Sequence, residues 1–240
     1  MINLTTTWHI EETRRHIQRL FGREQLNLAN PSLHSAVERQ NFVRIHYNDV
    51  RKILDEFVEA KLKNSSLFEV IFASDEDTQD AFQVFIFKVG AYVTACIQSL
   101  HAINDILSHA IYFSLGLNTL PNPLVEQRID ARTVLKRLGE VDAFTSIHDI
   151  FNELCNGGES AHLNALSNHG KHRSVIRASL NEDQTGLNID KYYIKFPGFR
   201  YRGLDYPEVE VVAFLSAEYA RSSRCIVEVG IELNRILTAR

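Results

Sequence analysis

No proline falls between Asp77 and Leu117, and Gly90 is the only glycine before Gly116. That stretch constrains the fold more than any other. Phe82, Phe85, Ile86, Phe87, Tyr92 and Val93 favour strand locally, but strands rarely exceed about ten residues. The length therefore predicts one long helix, or two joined near Gly90. Its apolar residues cover most of the circumference, so the helix is predicted to be central. A chain built around such a helix is mainly α.

The flanking segments follow the same period. Thr5, Thr6 and Thr7 can cap a first helix, with Glu11 and Glu12 in its first turn, complementing the helix dipole. Ile10, Ile17, Leu20 and Phe21 recur at helical spacing up to Gly22. Asn30-Pro31-Ser32 is expected to interrupt, and Ser32 or Ser35 to start a second helix carried to about Lys63 by Phe42, Ile45, Val50, Ile53, Leu54, Phe57 and Val58. Asn64-Ser65-Ser66 marks a break, and Ser74-Asp75-Glu76-Asp77 an acidic start for the long helix. After the loop at Gly116–Pro123, shorter helices are expected over Arg132–Leu138, Phe144–Leu154 and Glu159–His172.

The period then changes. Val175–Leu180 and Ile189–Phe196 read as strands around the turn-rich Asn181–Gly186, giving a small antiparallel β-hairpin insertion over about 174–205. Val212, Leu215, Tyr219, Ser222, Ile226, Val229, Leu233 and Ile236 then alternate steps of three and four, the seam of a bundle helix. The expected organisation is one domain over 1–240. Its N-terminal helices occupy 1–73, core helices 74–173, the β excursion 174–205 and a C-terminal bundle helix 206–240.

Composition narrows the partners. The formal net charge of −4 gives no global pull toward a polyanion, so nucleic-acid binding would need a local basic patch. Cys96, Cys155 and Cys225 lie far apart with no CxxC spacing. They read as reduced, buried thiols of a cytoplasmic protein. Met1–Trp8 lacks a basic region followed by an apolar run, so no signal peptide is expected. Gln83, Lys88 and Gln98 break the apolar run Ala81–Leu100, which is predicted to fall short of the ~20 residues of a membrane span.

Two constellations could carry chemistry. Glu159–Arg173 holds three histidines, two asparagines, a lysine and an arginine in fifteen residues. Asn168, His169, Lys171, His172 and Arg173 form the candidate catalytic or anion-binding set: imidazole can act as a base near neutral pH, and the cations can neutralise a phosphoryl oxygen. The same residues also suit a solvated helix C-terminus with Asn and His as caps. On the long helix, His101, Asp105 and His109 recur every four residues, and Thr94, Gln98, Ser108 and Tyr112 extend a polar stripe. Facing inward, the row would bind a divalent metal, with Asp149 or Glu153 as further ligands; otherwise it is a hydrogen-bonded or wet edge. Tyr192, Tyr193, Phe196, Phe199, Tyr201 and Tyr206, interleaved with Arg200 and Arg202, make an aromatic-basic β surface that could bind a ligand or simply pair across strands. No glycine-rich phosphate loop, GxSxG elbow or HExxH is present.

A helical bundle with this Asn/His/Arg cluster late in the chain resembles the HEPN superfamily over about residues 75–240. The resemblance implies a nucleic-acid-linked role, commonly as an RNase, and homodimerisation. The family motif places His four to six residues after Arg. Asn164-Ala-Leu-Ser-Asn168-His169 has that spacing with Asn in the arginine's place, so only His169 carries over. The expected function is nucleic-acid binding or cleavage. The alternatives are a metal-dependent bundle enzyme using the His101 row and a non-catalytic assembly protein using the heptad seam and the β surface.

Overall fold

The structure, a computed structural model, describes residues 7–72, 75–186 and 190–240. Thr5 and Thr6 of the expected cap, Ser74 and Ile189 lie outside them. The protein is mainly helical, with a long central helix and a small antiparallel sheet ahead of the C-terminal helix.

Helix α1 spans Ile10–Phe57, with a kink at Gly22, whose φ of 85° and ψ of 179° are non-helical. The expected break at Pro31 does not occur. Proline removes the N–H that would bond to the Asn27 carbonyl, but Asn27 and Pro31 are both exposed, so water can satisfy that carbonyl. A π-helical turn over Val58–Leu62 ends this arm. The short helix α2, Leu67–Ile71, starts at a capping box in which Ser66 and Glu69 bond reciprocally.

Helix α3 runs unbroken from Glu76 to Ser114, with Asp75 Oδ1 accepting from the Thr78 amide at 2.8 Å at its start. Its C-terminal half is largely buried, whereas Val84 and Phe87 face solvent. By length and composition alone α3 is apolar enough to cross a membrane, where the sequence reading placed it short, and only 28% of that apolar window is buried in the protein. Helices α4 (Ala131–Gly139), α5 (Thr145–Asn156), α6 (Ser160–His172) and α7 (Val211–Thr238) follow.

The β excursion is larger than a hairpin. Strands β1 (Ser179–Glu182), β2 (Tyr192–Phe196) and β5 (Val209–Glu210) form an antiparallel sheet in the order β1-β2-β5. A separate hairpin pairs β3 (Phe199–Tyr201) with β4 (Leu204–Tyr206). Tyr192, Ile194 and Phe196 alternate inward along β2, the period expected of a half-buried strand. Asn181 and Glu182, which read as turn, pair instead with Tyr193 and Tyr192.

Contacts group the described residues into two compact units that interleave in sequence. One draws on residues up to 41, 100–160 and 219–240. Within it Ile17, Leu33, Ile103, Leu107, Ile111, Phe151, Val229 and Leu233 are fully buried. Trp8 Nε1 donates to Thr13 Oγ1 at 2.8 Å, and Thr13 donates to Asn234 Oδ1 at 2.5 Å, so α1 and α7 are joined by a buried polar chain inside this core. The other unit draws on 42–99 and 161–218. There Phe57 stacks on Phe85 with centroids 4.2 Å apart. Glu182 Oε2 accepts from the Leu67 amide at 3.1 Å, fastening α2 to the sheet.

Candidate functional site

Helix α6 carries the histidine cluster. Positions 162, 166 and 169, and Arg173 just beyond the helix, fall within a narrow arc at 100° per residue. The face they define meets the β3–β4 hairpin. His162 is buried, with ring centroids 5.5 Å from Phe199, 5.3 Å from Tyr206 and 5.3 Å from Phe214. His169 stands edge-on to Phe199 at 5.9 Å and to Tyr201 at 5.8 Å. Arg173 and Arg202 both place their guanidinium carbons over Tyr201, at 5.2 and 5.3 Å from its centroid.

His169 also shapes the chain. Its backbone carbonyl accepts from the Arg173 amide at 2.9 Å and the Ser174 amide at 3.1 Å, closing the helix end. Its Nδ1 lies 2.7 Å from the Ser174 carbonyl. A carbonyl only accepts, so Nδ1 carries the proton, and in the neutral ring Nε2 holds the lone pair. The side chain is thus a capping group as well as a candidate base.

The other predicted members disperse. Asn168 is half-buried, while Lys171 and His172 are exposed and make none of these ring contacts. The structure therefore unites His162, His169 and Arg173 with the aromatic-basic β surface, which the sequence presented as separate features. Tyr201 and Arg202 were expected on that β surface; what the sequence did not join was their contact with the end of α6. Their signal was the Arg202-Gly203 pair between alternating residues, a two-residue hairpin cue. Over residues 168–206 seven Lys or Arg face four Asp or Glu, so this segment is positive in an acidic chain. Asp205 lies 3.7 Å from Arg200, and Lys191 and Lys195 pair with Glu182 and Glu208.

The His101 row does not gather into a ligand set. Among the described residues no three His, Cys, Asp or Glu side chains could together hold a metal ion. Helical rise separates positions 101 and 109 by ~12 Å along the axis, too far for one ion to bind both. Asp105 is exposed, while the stripe around it is locally satisfied. Ser108 donates to the Asn104 carbonyl at 2.8 Å, and Tyr112 Oη accepts from the Leu124 amide at 2.7 Å. His109 lies 6.1 Å from Phe113. The additional ligands are engaged elsewhere: Asp149 lies 2.9 Å from His148, and Glu153 3.7 Å from Arg224.

Two clefts, of about 870 and 990 Å³, lie apart from the cluster, and neither is lined by any residue from 168 to 173. A small recess reaches Gly170, with Leu166, Ser167, Val175 and Phe196 around it, while Arg173 and Arg202 themselves stand exposed, outside any enclosing pocket of the kind that buries small molecules. Compared with family models, curated proteins and solved structures, the chain matches none.

Proposed function

We propose that this protein binds nucleic acid, as a non-catalytic partner, through the face formed by the end of α6 and the β3–β4 hairpin. The observation that carries this reading is the convergence of Arg173 and Arg202 on Tyr201. Two exposed guanidiniums steadied by one aromatic ring supply concentrated positive charge, and guanidinium is well matched to phosphate oxygens. The open surface suits an extended polymer. The HEPN-like spacing at Asn164–His169 supports the same ligand class, while the missing arginine and the capping role of His169 favour binding over cleavage. Three buried free thiols support a cytoplasmic setting. The test is fluorescence anisotropy with labelled single-stranded RNA. Arg173→Ala with Arg202→Ala is expected to weaken binding at least about tenfold. His169→Ala is expected to change no cleavage rate; wild-type hydrolysis of the RNA that His169→Ala abolishes would restore the RNase reading.

A second reading, assembly, is favoured by one observation. Phe68 and Phe72, on and just after α2, pack 4.7 Å apart and are 69% and 68% exposed; Phe87 on α3 is 72% exposed. Exposed aromatic clusters of this kind mark interaction surfaces. A homodimer would then use the Phe68–Phe72 pair. The terminal seam is unsuited to that task, because Ile226, Val229, Leu233 and Ile236 are buried in the folded chain. Light scattering is expected to show a dimer that Phe68→Ser with Phe72→Ser converts to monomer; a monomeric wild type would end this reading.

A further inference from the structure

Arg202 occupies a backbone conformation that arginine rarely adopts. Its φ is +51°, and Gly203 follows at +84°. Tyr201 and Leu204 are paired across them, so residues 202 and 203 form a two-residue hairpin loop with both φ values positive, the type I′ geometry. Asn-Gly or Gly-Gly fill such loops with least strain, because a Cβ crowds the backbone when φ is positive. An arginine here is disfavoured locally. What it brings is a guanidinium that reaches back over Tyr201, opposite in sequence to Arg173 but on the same ring.

The rings around this pair are already engaged. Phe199 stacks face to face on Tyr206, with centroids 5.0 Å apart and planes 14° from parallel. His162 leans on both, His169 meets the edges of Phe199 and Tyr201, and Tyr201 itself is only 6% exposed. Base recognition by stacking needs an exposed aromatic face, as in single-strand binding platforms. Here Tyr201 is buried, Phe199 and Tyr206 are half-buried with a face of each taken up by the other, and the fully exposed groups are the guanidiniums of Arg173 and Arg202.

We infer that this face recognises backbone phosphates without reading bases, and that Arg202 is a positioning-strained phosphate contact at the hairpin tip. The inference rests on the nucleic-acid reading above for its ligand but specifies what part of the ligand is bound. Arginine contacts to phosphate fix a polymer in place and carry no sequence information.

The experiment compares uridine, adenosine and cytidine RNA homopolymers of equal length, with long-chain inorganic polyphosphate as competitor. Dissociation constants are expected to agree within about threefold, whereas a base-reading contact discriminates by about tenfold or more. Polyphosphate is expected to displace all three. Arg202→Gly is expected to lower the slope of log affinity against log salt by about 0.7, the value for one lost single-strand phosphate contact. The same substitution is expected to raise Tm by about 2 °C, because the loop loses its strain. Gain of stability with loss of affinity separates a ligand contact from a merely structural residue. A homopolymer preference above about tenfold would overturn the inference while leaving nucleic-acid binding intact. So would an Arg202→Gly protein with unchanged affinity and salt slope. Binding of polyphosphate but not RNA would keep the phosphate site and remove the nucleic-acid reading. Binding of neither would remove both.

Discussion

Single residues in this protein often do two jobs, and His169 shows how. Its carbonyl and its Nδ1 both close the chain onto Arg173 and Ser174, and its ring edge supports the aromatic pair beneath the arginines. A residue so occupied anchors the site more readily than it moves protons. The cysteines show the opposite, a reactive side chain silenced by its place. Burial pushes the Cys96 and Cys155 thiols up to about 12, and raises Cys225 as well, with Arg224 and Arg221 drawing it partly back. A thiol that stays protonated is a poor nucleophile, so the native protein is expected to react with Ellman's reagent only as fast as it unfolds. The same shift gives a pH dependence. Below the ordinary thiol value of 9.0 both states are protonated and stability is unaffected. Between 9.0 and about 12 the unfolded chain releases protons that the folded chain keeps, so stability falls as pH rises. Urea midpoints measured at about pH 8 and about pH 10.5 should show this fall, and Cys96→Ala should show a smaller one. An equal fall in both proteins would contradict the assignment of that shift to Cys96.

Among the elements, α7 carries the clearest energetic dependence. Gly230 lies against the Trp8 ring, and a Cβ placed there would meet Trp8 Cγ at 2.0 Å. Trp8 is held by its bond to Thr13, itself bonded to Asn234 on α7, so the ring cannot move away without breaking buried polar contacts. Gly230→Ala is therefore expected to destabilise by about 1–3 kcal/mol, despite alanine's better helix propensity. A denaturation midpoint at or above the wild type would refute the packing described. Elements were legible in proportion to how local their causes are. The proline-free stretch announced α3, and the three-four alternation announced α7, of which Ser222, Ile226, Val229, Leu233 and Ile236 are buried. Pro31 misled because a solvent-facing carbonyl at Asn27 tolerates its missing N–H, which only the orientation of α1 reveals. Asn181 and Glu182 misled because their strand state comes from pairing with Tyr193 and Tyr192, across a turn, and not from their own propensity.

At the scale of the whole molecule, the sequence singled out a stretch of chain but not the residues that pack against it. The density of His, Lys and Arg in 168–173 pointed to the end of α6. Nothing local could show that Tyr201 and Arg202, some thirty residues onward, would complete it, since tertiary packing alone brings them to His169 and Arg173. Nor could spacing show that Ser108 of the polar stripe would bond the Asn104 carbonyl and Tyr112 the Leu124 amide, or that among the described residues no three candidate ligands gather there. A polyanion bound by an acidic chain needs a local basic patch, and with the end of α6 and the β3–β4 hairpin as that patch, affinity should depend steeply on salt and on a few arginines. The most direct measurement is a titration of labelled single-stranded RNA with wild-type protein and with the Arg173→Ala, Arg202→Ala double variant at several salt concentrations, with circular dichroism confirming that both are folded. Salt-sensitive binding by the wild type is expected. The double variant is expected to lose about tenfold or more in affinity, with a salt slope shallower by about 1.4. Equal affinity and equal slope for the two proteins would contradict binding through these arginines.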